Sequence, residues 1–230
     1  MILHDGMINK MKNYKGAIFD CDGVLLDSML MWVRADAEYL VSLGLTPRPD
    51  LTDAVRPLSS IESADYLRIE YGIPKSTEQI NAERNRMLEE YYFHKTTLKD
   101  GVIPVLESLT NHGVKLCVAT ATDKYLIKAA LQRCGILKYF IRIFTCSEEK
   151  TSKSSPDIYI RAAAFLGTEI CDTLVFEDAL HAIKSAKKAG FPVVAVYDPS
   201  EADHQIEIKG LCDYYYESWR KMDDSPYPGI

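Results

Sequence analysis

The sequence predicts an α/β fold, a doubly wound parallel sheet that carries an inserted all-helical segment. Short apolar runs without strict alternation recur along the chain, which is typical of strands that are covered on both faces. Helical patterns lie between these runs, as repeated strand–helix–strand units require. Residues 28–96 interrupt the alternation with helical patterns alone, which indicates a helical domain inserted after the first strand.

The predicted strands are apolar and short. They are residues 16–19, 115–119, 142–145, 173–176 and 192–196. The run that contains Arg142 is the weakest of these patterns. Ligands in doubly wound sheets bind beyond the carboxyl ends of the strands. We therefore expect functional side chains directly after these runs.

The helices predicted between the strands end at glycine residues. They are residues 124–134, 156–166 and 179–189. Pro156 at the start of the second helix and Gly167 at its end follow the usual asymmetry of helix termini. Each helix would connect two neighbouring parallel strands and cover one face of the sheet.

The segment after the first strand has a different pattern. Apolar residues from Leu30 to Val41 follow helical spacing, and Gly44 ends that helix. Further helices are expected over 60–71 and 77–93. The predicted organisation is an α/β core of residues 14–27 and 97–220, a helical cap domain of residues 28–96, and flexible ends at 1–13 and 223–230.

The overall charge limits the class of partner. The chain has 230 residues and a net charge of −6, which is unlike the basic footprint of a nucleic-acid-binding protein. An acidic surface repels polyanions, so a phosphate ligand needs a local cationic site. We expect a small-molecule partner and no nucleic acid, and the sequence does not specify an oligomeric state.

The cysteines and the N-terminal segment indicate a reducing compartment. The six cysteines are scattered and include no C-x-x-C pair, so we expect free thiols rather than a disulfide framework. The first residues carry charges and no long apolar run, unlike a signal peptide. No stretch has the roughly 18 apolar residues of a membrane span. These features predict a cytoplasmic protein without a membrane partner.

The strongest chemical pattern is the run from Phe19 to Ser28, Phe-Asp-Cys-Asp-Gly-Val-Leu-Leu-Asp-Ser. Asp20 and Asp22 follow the first strand and precede Gly23. Clustered acids raise one another's pKa, and a hard cation such as Mg²⁺ relieves that repulsion. The alternative is a turn with capping aspartates.

A second acidic pair, Glu177–Asp178, follows the fourth predicted strand. These residues could supply further metal ligands. The alternative, which is compatible with the first, makes Asp178 the N-cap of the helix at 179–189.

Two further side chains are candidates for binding phosphate. Thr120 follows the second predicted strand, and its hydroxyl could donate a hydrogen bond to a phosphoryl oxygen. Its alternative is a helix N-cap, a role that Thr122 or Asp123 fits better. Lys153 could neutralise charge on a phosphate, although a lone loop lysine is more often solvated surface.

These motifs, in this order, resemble the haloacid dehalogenase superfamily of phosphatases and phosphotransferases. The resemblance runs from about residue 14 to residue 200. Its nearest branch is that of β-phosphoglucomutase and phosphoglycolate phosphatase, which have a Rossmann-like core and a helical cap. The run Lys153-Ser154-Ser155-Pro156 departs from the usual Lys-Pro, and Ala179 and Ala182 stand where Ser and Gly are common.

The resemblance implies a role for each matching residue. Asp20 would be the nucleophile and a Mg²⁺ ligand, with a reference pKa of about 3.9 that leaves it ionised near neutral pH. Asp22 would be the general acid and base, and its backbone carbonyl would bind the metal. The remaining implied residues are Thr120, Ala121 and Lys153 for the phosphoryl group, Arg56 for the substrate, and Asp178 with Glu177, directly or through water, for the metal.

The leading interpretation is a Mg²⁺-dependent phosphatase that hydrolyses a small phosphorylated metabolite through an aspartyl-phosphate on Asp20. The first alternative is a sugar-phosphate mutase. Trp32 stands where such mutases place a histidine, and Ser60 where they place an arginine, so hydrolysis is favoured. The alternative is that Arg84 and Arg86, on a later helix of the cap, compensate for that arginine. The second alternative is a non-catalytic binding protein, which the intact acids disfavour.

Overall fold

The carboxyl ends of six parallel strands form one edge of the central sheet. A computed structural model describes residue 11 and residues 13–223. The strands in that part of the chain are β1 Gly16–Phe19, β2 Lys115–Thr120, β3 Phe140–Thr145, β4 Thr173–Glu177, β5 Val193–Val196, β6 Tyr214–Ser218 and β7 Lys221–Asp223. Their order is β3-β2-β1-β4-β5-β6-β7, and only β7 is antiparallel. The predicted doubly wound fold is confirmed.

Helices connect the strands and fill the segment that follows β1. They are α1 Met29–Ser42, α2 Leu51–Val55, α3 Ser60–Glu70, α4 Thr77–Glu90, α5 Val102–Asn111, α6 Lys124–Arg133, α7 Cys146–Glu149, α8 Asp157–Leu166, α9 Leu180–Lys188 and α10 Gln205–Leu211. A π-helical turn, Tyr91–Lys95, follows α4, and short 3₁₀ turns occur at Leu137–Tyr139, Ile170–Asp172 and Pro199–His204.

The sequence patterns located most of these strands and α-helices but missed six. The predicted strands and the six predicted helices all occur, with ends that differ by a few residues. The elements without a prediction are α2, α5, α7, α10, β6 and β7. Leu30 and Val41, two of the apolar residues that predicted α1, are exposed, so that helix buries less of its apolar pattern than its spacing indicated.

Residue alternation along the strands builds a core on each face of the sheet. Ala17 and Phe19 of β1 pack in one apolar cluster, whereas Ile18 packs in the other, because successive strand side chains point to opposite faces. Phe19 and Phe176 stack with ring centroids 4.1 Å apart. This packing fixes the ends of β1 and β4, from which Asp20 and Glu177 project.

The helices that follow β1 have a core of their own. Tyr39, Leu40, Leu67 and Ile80 are among its buried members, and Ser59 begins α3 with a capping box that includes Glu62. Both features stabilise the segment locally. That residues 28–96 form a separate cap domain stays a prediction.

The flexible ends predicted at 1–13 and 223–230 lie outside the described residues, apart from residues 11, 13 and 223. All six cysteines are free, as expected. Among the described residues, no helix combines the length and apolarity that crossing a membrane requires.

Candidate active site

Three carboxylates meet at the carboxyl edge of the sheet. Asp20 follows β1, Glu177 ends β4 and Asp178 comes next. One oxygen from each lies within 4.8 Å of the others, and all three side chains are buried. The strand order reverses between β1 and β4, which is where ligands bind in doubly wound sheets. The topology thus joins two motifs that are distant in sequence.

The electrostatics of this cluster of carboxylates favour the binding of a cation. Burial raises the pKa of Asp20 to about 8; Lys153 opposes the rise, and Glu177 and Asp22 add to it. Burial also raises the pKa of Asp178 well above its ordinary value, with contributions from Asp20 and Glu177. Without added positive charge, Asp20 is therefore not fully ionised at neutral pH, contrary to the expectation from its reference value.

The cluster fits a hard divalent metal ion. Glu177 Oε2 is buried and has no hydrogen-bond partner among the described residues. The other groups are carboxylates as well, and hard cations prefer oxygen ligands. The side chain of Asp22 lies outside this group of three, so its predicted metal contact would come from the backbone carbonyl alone.

Lys153 is part of the site and not a solvated surface residue. Its Nζ lies 2.6 Å from Asp20 Oδ1 and 2.6 Å from Glu177 Oε1, and it is only 5% exposed. Burial lowers the pKa of Lys153, but the charges of Asp20 and Glu177 outweigh that effect and raise it. Tyr159 donates a further hydrogen bond to Glu177 Oε1 over 2.7 Å. The lysine is thus a fixed cation beside Asp20.

Asp22 is held by hydroxyl groups from three parts of the chain. Ser28 Oγ and Tyr92 OH each donate to Asp22 Oδ1 over 2.5 Å. Thr122 Oγ1 donates to Oδ2 over 2.7 Å. Trp32 Nε1 in turn donates to Tyr92 OH over 2.6 Å. Trp32 therefore connects the helical segment to Asp22 through Tyr92.

A cavity of about 150 Å³ opens above these groups. Asp20, Asp22, Lys153 and Asp178 line it on the sheet side, whereas Glu177 lies beneath them and is fully buried. Of the predicted phosphate- and substrate-binding residues, Thr120, Ala121 and Arg56 also line it. The structure therefore brings together every predicted site residue, with Glu177 just below the cavity wall.

Asp123 connects the sheet side to α4. Asn81 Nδ2 and Asn85 Nδ2 donate to Asp123 Oδ2 over 2.9 and 2.5 Å, and Ser147 Oγ donates to Oδ1 over 2.8 Å. Asp123 occupies the N-cap position of α6 but makes no capping hydrogen bond with its side chain. The predicted capping role is therefore wrong, because the carboxylate accepts hydrogen bonds from α4 and Ser147 instead.

The capping prediction for Asp178 is also wrong. The N-cap of α9 is Ala179, in extended conformation. The carboxylate of Asp178 instead turns towards Gly23, where an added Cβ would lie 2.1 Å from Asp178 Oδ2. Gly23 also has a φ of +79°, a conformation that glycine adopts at little cost. Gly23, in the first acidic motif, thus leaves room for the carboxylate of Asp178, in the second.

Gly23→Ala should weaken binding of a divalent metal and lower turnover, each by about 10- to 100-fold, since the new methyl group displaces a predicted ligand. Calorimetric titration with Mg²⁺ measures the first effect. Gly44→Ala is the matched control: Gly44 has a φ of +76° and nothing within 4 Å of its Cβ position. Equal effects of the two substitutions would show that backbone strain, and not contact with Asp178, is responsible.

The sequence did not predict a place in the site for four of the hydroxyl groups around it. These belong to Ser28, Tyr92, Thr122 and Tyr159. Ser28 ends the run that begins at Phe19, and Thr122 lies two residues after Thr120, so their nearness in sequence to predicted site residues was a usable signal. The two tyrosines lie on distant elements, and nothing in their local sequence distinguishes them from core residues.

Residues 17–196 match the family model of haloacid dehalogenase-like hydrolases. A curated relative, "Probable pseudouridine-5'-phosphatase" of Drosophila melanogaster, is 29% identical over 93% of this chain and 97% of its own length. "(DL)-glycerol-3-phosphatase 1, mitochondrial" of Arabidopsis thaliana is 30% identical over 88% of this chain and 72% of its own length. The crystal structure of β-phosphoglucomutase from Clostridium difficile has a TM-score of 0.74 at 18% identity, covering 92% of this chain and 94% of that chain.

The match and the fold define the chain as an enzyme built on a doubly wound α/β sheet. It belongs to the haloacid dehalogenase-like hydrolases. This is the family that the order of the sequence motifs predicted, and the structural likeness to a β-phosphoglucomutase extends the common fold over the helical segment.

Proposed function

We propose that this chain is a Mg²⁺-dependent phosphatase that hydrolyses a small phosphorylated metabolite through an aspartyl-phosphate on Asp20. The observation that carries the proposal is the position of Asp20, at a cavity wall, 2.6 Å from Lys153 and within the three-carboxylate cluster. Phosphatase names among the curated relatives support the coarser assignment. We also expect a cytoplasmic location, as the sequence predicts.

In the first step, a carboxylate oxygen of Asp20 attacks phosphorus and the bond from phosphorus to the substrate oxygen breaks. Splitting the reaction in this way replaces one difficult displacement by two easier ones. Lys153 and the hydroxyl of Thr120 stabilise the charge on the phosphoryl oxygens. The leaving oxygen takes a proton from Asp22 and departs as an alcohol.

In the second step, a water molecule attacks the phosphorus of the aspartyl-phosphate, and Asp22 accepts its proton. The bond between Asp20 and phosphorus breaks, which restores the carboxylate and releases inorganic phosphate. Asp20, Glu177 and Asp178, with the backbone carbonyl of Asp22, would hold Mg²⁺. When bound, the ion supplies Lewis-acid stabilisation of the phosphoryl oxygens.

The hydrogen bonds made by Trp32 and Ser60 favour hydrolysis over the mutase alternative. Trp32 uses its only donor, Nε1, to bind Tyr92, so it cannot serve as a proton carrier. Ser60, at the position of the arginine expected in a mutase, donates its hydroxyl to Asn81 Oδ1 over 2.6 Å. Neither residue provides a bidentate clamp for a second phosphate.

The direct test is turnover of 4-nitrophenyl phosphate with Mg²⁺, with EDTA, and with EDTA followed by excess Mg²⁺. Phosphate release should be lost in chelator and regained with the metal, because the buried acids need the cation. With β-glucose 1-phosphate, we expect inorganic phosphate and no glucose 6-phosphate. Full activity in chelator contradicts the metal role, and isomerisation at a rate comparable to phosphate release contradicts the choice of phosphatase.

A further inference from the structure

The wall of the cavity opposite Asp20 contains a buried ion pair. Arg84 on α4 and Asp36 on α1 both line the cavity, and Arg84 Nη2 lies 2.5 Å from Asp36 Oδ1. Arg84 Nη1 donates to the carbonyl of Ser60 over 3.0 Å, and Ser63 donates to Asp36 Oδ2 over 3.3 Å. The two charged residues are 3% and 5% exposed. None of these groups takes part in the chemistry at phosphorus proposed above.

This ion pair retains hydrogen-bonding capacity. Arg84 Nε is buried without a hydrogen-bond partner among the described residues. Within the described part of the chain, Asp36 Oδ2 accepts one hydrogen bond, and at 3.3 Å it is long, so that oxygen keeps room for a shorter donor. A neighbouring donor and acceptor suit a hydroxyl group, which both donates and accepts. Unsatisfied groups of this kind are costly when buried, so each requires an explanation, such as a water, an ion or a functional role.

The basic residues that line the cavity are already paired with carboxylates. Arg84 faces Asp36, and Arg56 lies 3.3 Å from Glu201 Oε1, which is itself buried. On the sheet side, Lys153 is paired with Asp20 and Glu177. Among the described residues that line the cavity, every lysine or arginine therefore has a carboxylate within 4 Å.

The histidine of the cavity adds no positive charge. Burial, with the nearby charges of Lys153 and Arg56, lowers the pKa of His181 to about 4, so its imidazole is neutral at physiological pH. A second anionic group on a substrate would thus meet Asp36 and Glu201 without a free cation to compensate it, and like charges at close range strongly disfavour binding.

We propose that the leaving group of the substrate is an uncharged, hydroxyl-bearing molecule, a polyol or sugar, and that Asp36 and Arg84 determine this specificity. The proposal rests on the phosphatase function and defines its substrate class. One or two hydroxyls of the leaving group bind to Asp36 and Arg84, while the phosphate lies at Lys153 and Asp20. Apolar atoms of Trp32 and Leu58, which also line the cavity, contact its carbon chain.

The test compares substrates that differ only in one charged end. Sorbitol 6-phosphate and 6-phosphogluconate form one pair, and glycerol 3-phosphate and 3-phosphoglycerate form another. We expect kcat/KM to favour the uncharged member of a pair by at least about 10-fold. Asp36→Asn should lower the preference by about 10-fold or more, by impairing the polyol substrate and improving the acidic one, because Arg84 then lacks its compensating charge.

Two further variants separate specificity from folding. Asp36→Asn leaves a buried guanidinium without an acid, which can destabilise a fold, so Asp36→Asn combined with Arg84→Gln removes both charges and should also reduce the preference. Glu70→Gln is the control, since Glu70 pairs with Arg48 at 2.9 Å on an exposed surface outside the cavity, and the preference should not change.

Binding to the Asp20→Asn protein with Mg²⁺, measured by calorimetry, gives the same comparison without turnover. Tighter binding of the uncharged esters supports the proposal. Equal or tighter binding of the acidic esters overturns it, even where 4-nitrophenyl phosphate is hydrolysed and the phosphatase function stands. If the enzyme hydrolyses no phosphate ester, the phosphatase function is contradicted, and this inference fails with it.

Discussion

Asp20→Asn should abolish turnover, lowering kcat by on the order of 10⁴-fold or more, as expected when a covalent nucleophile is removed. The amide has nearly the shape of the carboxylate but cannot attack phosphorus. Lys153 keeps its contact with Glu177 Oε1 at 2.6 Å, so the neighbouring cation stays in place. The loss should therefore appear in kcat with the fold intact. Phosphate release from 4-nitrophenyl phosphate measures it.

The same substitution should change how stability depends on pH. In the absence of metal, burial raises the pKa of Asp20 from 3.8 to about 8. The folded state therefore holds a proton that the unfolded state has released, and the unfolding free energy falls as pH rises between these values. Asp20→Asn removes this contribution, so its melting temperature in EDTA should decline less than that of the wild type from pH 5 to pH 8.

Asp27→Asn is the matched control, because Asp27 belongs to the same motif but is exposed and does not line the cavity. It should keep nearly full activity. A phosphoenzyme trapped during turnover should carry its phosphate on Asp20, by mass spectrometry. More than a few percent of activity in Asp20→Asn, or a phosphate on another residue, would show that the nucleophile has been assigned wrongly.

The fold was predictable wherever one local pattern specified an element. β1 and β4 are short apolar runs, and the helices after them end at glycines. β6 was missed because Tyr214–Ser218 ends in polar residues, and its pairing with β5 and the packing of Tyr216 on Trp219 stabilise it. α5 was overlooked although Val102, Val105, Leu106 and Leu109 have helical spacing and are buried.

The candidate site, like the fold, was predictable only in part. Asp20, Asp22 and Glu177–Asp178 were predictable, because parallel strands bring acids that follow them to one edge. The ion pair of Asp36 with Arg84 was not, since it joins two helices whose relative rotation depends on packing. The capping predictions for Asp123 and Asp178 failed for a related reason. A local capping rule cannot anticipate that tertiary contacts will use the carboxylate elsewhere.

Asp22→Asn should reveal the two halves of the proposed reaction separately. The amide cannot give a proton to the leaving oxygen or take one from water, and it can accept hydrogen bonds only through its oxygen. At least one donor among Ser28, Tyr92 and Thr122 then loses its acceptor. Loss of general acid–base catalysis lowers a rate by about 10²- to 10⁴-fold, and which step becomes slow depends on the leaving group.

With 4-nitrophenyl phosphate, the phenolate leaves without protonation, so Asp20 should still be phosphorylated quickly in Asp22→Asn. Attack by water on the aspartyl-phosphate loses its general base and becomes slow. We therefore expect a burst of about one nitrophenol per enzyme, followed by slow turnover, in stopped-flow absorbance. An alkyl phosphate such as glycerol 3-phosphate should give no burst, because its alkoxide needs the missing proton. Equal rate losses for both substrates, without a burst, would contradict an acid–base role for Asp22. The substitution would then act by displacing Asp20 and the metal and not by preventing proton transfer.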